Sequence, residues 1–575
     1  MASGSARAYW PVALRSASVK CAVACGVVAA CVIGVYANRL SGPFLFDDQQ
    51  AIVENATLHA RALIDLLTPP RETPVAGRPL VNLSFALDRA LFGLQPTAFH
   101  ATNLALHVVC SWLLFALLRE LLRVGRVPET MRQRAEAYAF AASLCFGLHP
   151  ISTEIVLYTS QRSEVLAAIW YLLALLLLVR QASEPLGTSR RWLWLALVGV
   201  LGAMSKEVFA TVLPIGLCLD RAFLAGSFRA ALRARAGFYL ALLPALLMLC
   251  ALQLQDPRPY SVRFGDIQYL LAQSRIVPQY LAVALWPAHL TLDYGPLWPD
   301  QAPPAWPFIV GSSLALVGCA FAALRFPRLG FLAVWIIGIL APSSTLFGIH
   351  TELGAERRFY LPLAGLAACV VVLAGELLGR ASKTRLPAAA GLAVLVAVAL
   401  GARTHVRAAD FRSVQSAWES AVRDSPHNAR AHYNLAETYR RAGRRPRAIA
   451  EFRAALAAHE AYPDAHSNLA GELMAEGDKV GALLHLQRAA ALAPQDFRVH
   501  LNFATALGLS GRLREAVQAL NVALRLQPDS LDVHRKLAVA LSLLGRTEEA
   551  REHARWVLAH TDRDPTALRV LFGEP

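Results

Sequence analysis

The chain has 575 residues, of which 55% are hydrophobic and 17% charged, with a formal net charge of +15 and a mean hydropathy of +0.40. Ordinary soluble domains carry about 25% charged residues, so this composition excludes a wholly soluble protein and points to an integral membrane protein with a soluble part attached. The basic balance does not describe a nucleic-acid surface, because the arginines fall mostly in short loops between apolar runs and in the polar C-terminal part; the loop arginines read as orientation signals.

Apolar runs long enough, or nearly long enough, to cross a bilayer recur near 18–37, 99–118, 136–148, 163–179, 192–204, 208–220, 236–253, 306–324, 329–347, 359–378 and 386–402. The first follows Arg7 and Arg15, has Lys20 at its start, and is long for the apolar region of a signal peptide, so an uncleaved first span with a cytoplasmic N-terminus fits it better. Arginines cluster between alternate runs: Arg119 to Arg134, then Arg180, Arg190 and Arg191, Arg221 to Arg235, Arg325 and Arg328, and Arg380 to Arg385. Placing these loops in the cytoplasm puts 38–98, 149–162, Ser205-Lys206-Glu207, 254–305 and 348–358 outside. Residues 268–287 are apolar enough to span but contain Arg275, and a crossing there would invert everything downstream. A re-entrant or interfacial helix on the outer side fits instead, which leaves eleven spans and an outside C-terminal part. The short runs with polar turns between them suggest a cavity reaching into the membrane. All nine cysteines lie in apolar segments without metal-ligand spacing and read as buried small hydrophobes.

After residue 402 the chain becomes polar, Ala-rich and repetitive. His432, His466, His500 and His534 are 34 residues apart, as are Ala436, Ala470, Ala504 and Ala538, Gly443, Gly477, Gly511 and Gly545, and Ala448, Ala482, Ala516 and Ala550. That period, with small residues at helix crossings and Gly at the turn, is the tetratricopeptide signature. Four repeats are expected near 430–563, with a half-repeat upstream in which Trp418 and Ala421 match Phe452 and Ala455, continuing the last membrane helix through Arg403 to Arg423. The domains expected are a membrane part over 1–402 and a repeat part over 403–575. The fold class is all-α.

The outside loops hold most of the unusual polar residues. Asp47 and Asp48 stand side by side after the first span, where ionisable groups are costly. Arg78 follows in the same loop, and His100, Asn103 and His107 share one face of the second span. His149, Glu154, Tyr158, Arg162 and Glu164 come next, then Lys206 and Glu207, then Arg275 and Asp293, and last His350, Glu352, Glu356, Arg357, Arg358 and Tyr360. Singly, each has an ordinary explanation: span-end cations snorkel, buried histidines pack, and Glu154 could cap a helix. Together they gather carboxylates, His and Arg on the membrane face opposite the arginine loops. A charged lipid-linked substrate would need that set, with cations for phosphate oxygens and a carboxylate for an acceptor proton.

The ordered motifs are Phe46-Asp47-Asp48, Arg78-Pro79-Leu80, Phe99-His100-Ala101-Thr102-Asn103-Leu104 with His107, Leu148-His149-Pro150 with Glu154 and Arg162, Ser205-Lys206-Glu207, and Ala355-Glu356-Arg357-Arg358-Phe359-Tyr360-Leu361-Pro362. With the repeats they resemble the transmembrane and tetratricopeptide-repeat O-mannosyltransferases and their bacterial relatives, of the GT-C glycosyltransferase superfamily. Two features bear on the donor sugar: Gln161-Arg162-Ser163-Glu164 stands where relatives often have Gly-Arg-Ala-Asp, and a second arginine, Arg358, fills the first open position of the Glu-Arg-x-x-Tyr run. The resemblance implies a polyprenyl-phosphate sugar donor, mannose or another hexose, and a Ser/Thr hydroxyl of an exported protein as acceptor. Asp47 or Asp48 would be the base of an inverting in-line attack. Arg162, Lys206, Arg275 and Arg357 would steady the leaving phosphate, Glu154 and Glu356 would orient these cations, and His149 would position donor or acceptor. Arg78, His100, Glu207 and Tyr360 complete the expected substrate-binding set. A divalent metal on Asp47, Asp48 and Glu154 is compatible with the residues but not demanded by their spacing. The repeats would hold the acceptor polypeptide or a partner protein.

Competing readings are a membrane-anchored tetratricopeptide scaffold without activity, a flippase for a lipid-linked sugar, and a transferase acting on a lipid or glycan. The scaffold leaves the one-sided polar residues unexplained, and the flippase would need internal halves that the sequence lacks. Ala- and Arg-rich usage fits a GC-rich bacterium, with the repeats in the periplasm; in a eukaryotic host the equivalent compartment is the lumen of the endoplasmic reticulum.

Overall fold

The computed structural model describes residues 12–60, 62–183, 189–254, 267–295, 306–346, 352–381, 386–561 and 563–572; His350 of the last outer loop lies outside the described residues. Two compact units divide the chain, Met1–Ser420 and Ala421–Pro575. Every described element is helical.

The first unit runs α1 (Val12–Tyr36), α2 (Leu63–Leu67), α3 (Pro79–Phe92), α4 (Pro96–Val124), α5 (Glu129–Gln133), α6 (Ala135–Gly147), α7 (Ser152–Leu157), α8 (Arg162–Ser183), α9 (Ser189–Ala203), α10 (Val212–Leu219), α11 (Phe228–Leu254), α12 (Ile267–Leu285), α13 (Trp306–Arg325), α14 (Pro327–Ala341), α15 (Tyr360–Ala381), α16 (Leu386–Ala408) and the start of α17 (Val414–Asp424). Among the described residues, eight helices are long and apolar enough to cross a membrane. The remaining expected spans fall on shorter apolar helices, α6, Trp192–Ala203 and Val310–Arg325. The chain is therefore a multi-pass membrane protein.

The core is built around α8. Val165, Tyr171, Leu172, Leu175 and Val179 are all but inaccessible on that helix, packed with Leu114 of α4, Phe146 of α6, Phe209, and Trp335 of α14. A helix apolar on all sides has no solvent face to keep, and this one stands inside the bundle. Its polar first turn, beginning at Arg162, is thereby placed at the inner wall of the site.

The loops sort into two ends. At one end the arginine-rich loops bond to one another: Arg126 reaches the carbonyl of Ala225 (3.3 Å), Arg221 the carbonyls of Ala323 (2.8 Å) and Leu324 (2.9 Å), and Arg134 the carboxylate of Glu376 (3.7 Å). The loops after α1, α6, α9, α12 and α14 meet at the other. Helix α12 belongs with this second group. Near its start Tyr269 donates to the carbonyl of Ser343 (3.0 Å), further along Gln273 donates to that of Leu353 (2.7 Å), and near its end the carbonyl of Ala284 accepts from His149 (3.0 Å). Both ends of α12 are therefore tied to the same end of the bundle, as an interfacial helix would be.

The second unit contains α18 (Ala429–Arg441), α19 (Arg445–Ala458), α20 (Pro463–Glu476), α21 (Lys479–Leu492), α22 (Phe497–Leu509), α23 (Leu513–Leu526), α24 (Leu531–Leu543), α25 (Thr547–Ala559) and α26 (Pro565–Phe572). The 34-residue period has a physical cause at each place. Gly443, Gly477, Gly511 and Gly545 take φ of 69°, 95°, 76° and 76° in the turn between paired helices, a region that side chains disfavour. Ala436, Ala470, Ala448 and Ala482 have no exposed surface where the helices cross. Each ladder histidine bonds through Nε2 to the carbonyl six residues before it, at Pro426, Glu460, Pro494 and Pro528 (2.9–3.0 Å). One expectation is corrected. The last membrane helix does not continue to Arg423: α16 stops at Ala408, a 3₁₀ turn follows over Ala409–Arg412, and α17 begins at Val414.

Replacing Ala470 with Leu should overpack the α20 crossing and cost about 1–3 kcal/mol. Thermal unfolding of the full chain, followed by far-ultraviolet circular dichroism, should show the repeat transition move down; an unchanged transition would contradict this packing.

Candidate functional site

The site begins at a strained turn. Phe46 has φ of 48°, an uncommon conformation for a bulky residue and one that needs support from its surroundings. Its ring sits edge-on to Tyr158 (5.5 Å between centroids) and to Trp418 (4.8 Å). The turn separates the two neighbouring carboxylates, so that Asp48 is fully buried while Asp47 keeps exposed surface.

Asp48 accepts three backbone amides: Leu45 (3.0 Å) and Thr159 (3.2 Å) on Oδ2, and Ser160 (2.6 Å) on Oδ1. Burial pushes its carboxyl up to about 7, and the three amides pull the other way. Three converging N–H groups match an anion that fastens one loop to another, here the first outer loop to the turn ahead of α8. Asp47 has a different setting. Its own amide donates to the Tyr158 hydroxyl (3.3 Å). Surrounding protein raises its carboxyl above the ordinary range, opposed by the charges of Arg357 and, more weakly, Arg78.

Arg357 lies over the Tyr158 ring (5.6 Å), pairs with Glu154 (3.3 Å) and also contacts Glu352. Arg358 holds the other oxygen of Glu352 (3.2 Å) and the carbonyls of Glu352 (3.2 Å) and Leu353 (3.4 Å), which folds this loop over. Glu356 accepts the Thr291 amide (2.6 Å) and the Tyr294 hydroxyl (3.4 Å). Glu154 is buried, and its Oε1 has no hydrogen-bond partner. Burial raises its carboxyl, and the charges of Arg357 and Arg407 oppose the shift.

A second cation group gathers at the start of α3, and the charge of its Arg78 also acts on Asp47. Arg78 reaches Glu207 (3.4 Å) and the carbonyl of Pro74 (3.2 Å), and its Nε is buried without a partner. Lys206 contacts Glu164; burial lowers its ammonium, with Glu164 and then Glu207 opposing. The Leu80 amide donates to the carbonyl of Met204 (3.1 Å), which ties these two loops together.

Other expected site residues are placed in joints of the scaffold. Arg162, fully buried, donates to Asn103 (2.6 Å), Ser84 (3.2 Å) and the Phe99 carbonyl (3.1 Å), pairs with Asp88 (2.6 Å) and lies over the Phe85 ring (4.7 Å). His149 donates from Nε2 to Ala284 and accepts the Ile151 amide on Nδ1 (3.2 Å). Burial brings it down to about 4, so it is neutral. Tyr360 meets His107 (2.7 Å), and His100 meets the Leu40 carbonyl (2.8 Å) through Nδ1 while its Nε2 is buried without a partner. Arg275 stands on α12 between Gln273 and Ile276, both of which touch the 353–354 loop. Among the described residues no three His, Cys, Asp or Glu form a metal-ligand set. Asp48 is taken by amides and Glu154 Oε2 by Arg357, so these two are not arranged as the ligands considered from sequence.

Glu352, counted among the outer-loop polar residues, bridges the two arginines. Structure adds two residues that sequence reasoning did not place here: Arg407, whose charge acts on Glu154 and Glu356, and Trp418, which covers Phe46. Nothing in the sequence distinguished Arg407 or Trp418 from helix-end and repeat residues.

Asp48→Asn keeps the size but turns an N–H donor toward donors, so it should cost about 1–3 kcal/mol. Asp47→Asn, at an accessible position, should stay within about 0.5 kcal/mol of wild type. Thermal unfolding of both variants checks the contrast, and equal stability would contradict the division of roles.

The tetratricopeptide repeat family matches residues 400–463, 436–497 and 501–567. Protein O-mannosyl-transferase F38B6.6 of Caenorhabditis elegans is 24% identical over 427 residues, covering 70% of this chain and 57% of that protein. Protein O-mannosyl-transferase TMTC4 of Mus musculus is 28% identical over 482 residues, covering 73% and 64%. Protein O-mannosyl-transferase Tmtc1 of Drosophila melanogaster is 34% identical over 195 residues, covering 32% and 21%. The chain thus spans less than two thirds of the length of these relatives. In sequence it is similar, over most of its own length, to protein O-mannosyl-transferases of the TMTC type, and its C-terminal part is a tetratricopeptide repeat.

Proposed function

We propose that this chain is an inverting membrane glycosyltransferase that moves mannose or another hexose from a polyprenyl phosphate to a Ser or Thr hydroxyl of an exported protein. Asp47 is the base. The observation that carries this reading is an accessible carboxylate acted on by two arginines, Arg78 and Arg357, beside a second carboxylate that is fully engaged in holding the loop. The names of the relatives support the sugar and the protein acceptor.

In this mechanism the acceptor hydroxyl gives its proton to an Asp47 carboxylate oxygen. Its oxygen forms a bond to the anomeric carbon as the bond to the phosphate oxygen breaks, and the electron pair leaves on the lipid phosphate. Arg357, Arg78 and Lys206 stabilise that growing charge, with Arg275 available from α12. Glu154 and Glu352 hold Arg357, Glu207 holds Arg78, and Glu164 holds Lys206; Glu356, expected to orient a cation, instead secures the 291–294 loop. Arg162, His100, His149 and Tyr360 fix the helices and loops that carry them. The repeats present the acceptor polypeptide, and the arginine-rich end faces the cytoplasm of a bacterial inner membrane, which places the repeats in the periplasm.

The test is expression of wild type, Asp47→Asn and Asp48→Asn in the native host deleted for this chain, with mass spectrometry of exported proteins. Hexose additions on Ser/Thr peptides should appear with wild type and fall by about 10²-fold or more with Asp47→Asn at equal abundance. Additions that persist with Asp47→Asn would move the base elsewhere, and no difference between wild type and deletion would remove protein glycosylation. A pH profile checks the electrostatics. Rate should rise with pH through a limb above the ordinary aspartate value of about 3.9. Arg357→Gln removes a cation that lowers the Asp47 pKa, so the limb should move to higher pH; a shift to lower pH would contradict the pairing.

A further inference from the structure

We propose that residues 403–420, which lead from α16 into α17, form a strap that positions the transfer site, and that Trp418 is a positioning residue acting on Asp47 through Phe46. This rests on the transferase reading above.

Each turn of the strap holds a different segment of the site. Arg403 donates to the carbonyls of Pro287 and Ala288 (both 2.9 Å), just past α12. Thr404 donates to the carbonyl of Leu148 (2.6 Å), one residue ahead of His149. His405 bonds the Val35 carbonyl through Nδ1 (2.8 Å) and the Arg39 guanidinium through Nε2 (2.9 Å), which fixes the exit of α1. Arg407 is 1% exposed; it bonds Asp410 (3.2 Å) and Ser420 (2.9 Å), and its charge acts on both Glu154 and Glu356. The Phe411 carbonyl lies so close to Gly42 that any side chain there would collide with backbone (2.5 Å from an added Cβ). Trp418 then closes on Phe46 (4.8 Å).

A helix end that only needed packing would not bury an arginine whose charge acts on two site carboxylates in addition to its own Asp410. Nor would it place an indole against Phe46, the one bulky residue at positive φ among the described residues, directly before Asp47. The left-handed Phe46 needs external support. Tyr158 and Trp418 supply it from two sides, and Tyr158 also accepts the Asp47 amide. Without the indole, Phe46 can return to an ordinary conformation, and the direction of Asp47 changes while the cations that bind phosphate stay where they are.

The experiment uses the full chain in lipid nanodiscs with polyprenyl-phosphate mannose and a Ser/Thr peptide, comparing wild type, Trp418→Ala and Trp418→Phe. A small misplacement of a reacting group costs up to about 10²-fold, so Trp418→Ala should lower kcat by about 10-fold or more. KM for the donor should stay unchanged, and Trp418→Phe should recover most of the rate. Hydrogen exchange gives a readout independent of turnover: the amides of Leu45, Thr159 and Ser160, all bonded to Asp48, should exchange faster in Trp418→Ala. A change confined to KM, or wild-type kcat together with wild-type exchange, would overturn the strap. Faster exchange in a wild type and variant pair that both lack transfer would uphold the strap and place the failure in the transferase reading.

Discussion

A charge at the mouth of a membrane-spanning bundle has to be balanced where it sits, and Arg357 is where this protein does most of that balancing. It lies between Glu154 and Glu352 and over Tyr158, and its field reaches Asp47. Removing one member of such a buried set typically costs about 3–5 kcal/mol because it strands the others. The loops that supply these residues come from points far apart in the chain. Their meeting follows from the pairing of the charges together with the packing of α8 and its neighbours.

That constraint also explains why two adjacent aspartates can differ. Asp48 faces inward and is satisfied by three amides from two segments, which joins the first outer loop to the turn before α8. Asp47 keeps exposed surface, feels the charges of Arg357 and Arg78, and has the Tyr158 hydroxyl in place of three backbone amides as a partner for its carboxylate. The difference is produced by one backbone torsion at Phe46 and by the rings that hold it. A proton acceptor for chemistry needs access and a tunable environment, and only one of the two has both.

The sequence disclosed the repeats almost completely, because a 34-residue period places Gly, Ala and His where backbone and packing leave few choices. Helix placement was legible for a similar reason, since a bilayer demands long apolar runs. The sorting of loops by arginine content also agrees with the two ends at which those loops bond. What the sequence concealed is the use each polar residue is put to. Arg162 and Arg357 carry the same group and are both buried, yet one is consumed by scaffold partners Asn103, Ser84, Phe99 and Asp88 and the other joins the outer-loop residues Glu154, Glu352 and Tyr158. Hydrogen-bond partners are set by three-dimensional neighbours, which motif order does not encode. Trp418 matched a repeat position by periodicity, and its contact with Phe46 could not be read from spacing.

The central claim is a single displacement assisted by one accessible carboxylate, and the stereochemistry of the product tests it most directly. Purified full-length chain would be given polyprenyl-phosphate mannose of defined anomeric configuration and a Ser/Thr peptide, and the glycopeptide read by the one-bond carbon–proton coupling at the anomeric centre. The account predicts a product of configuration opposite to the donor. Retention of configuration would require two displacements and a covalent sugar–enzyme intermediate, and would contradict Asp47 as a base acting on the acceptor alone.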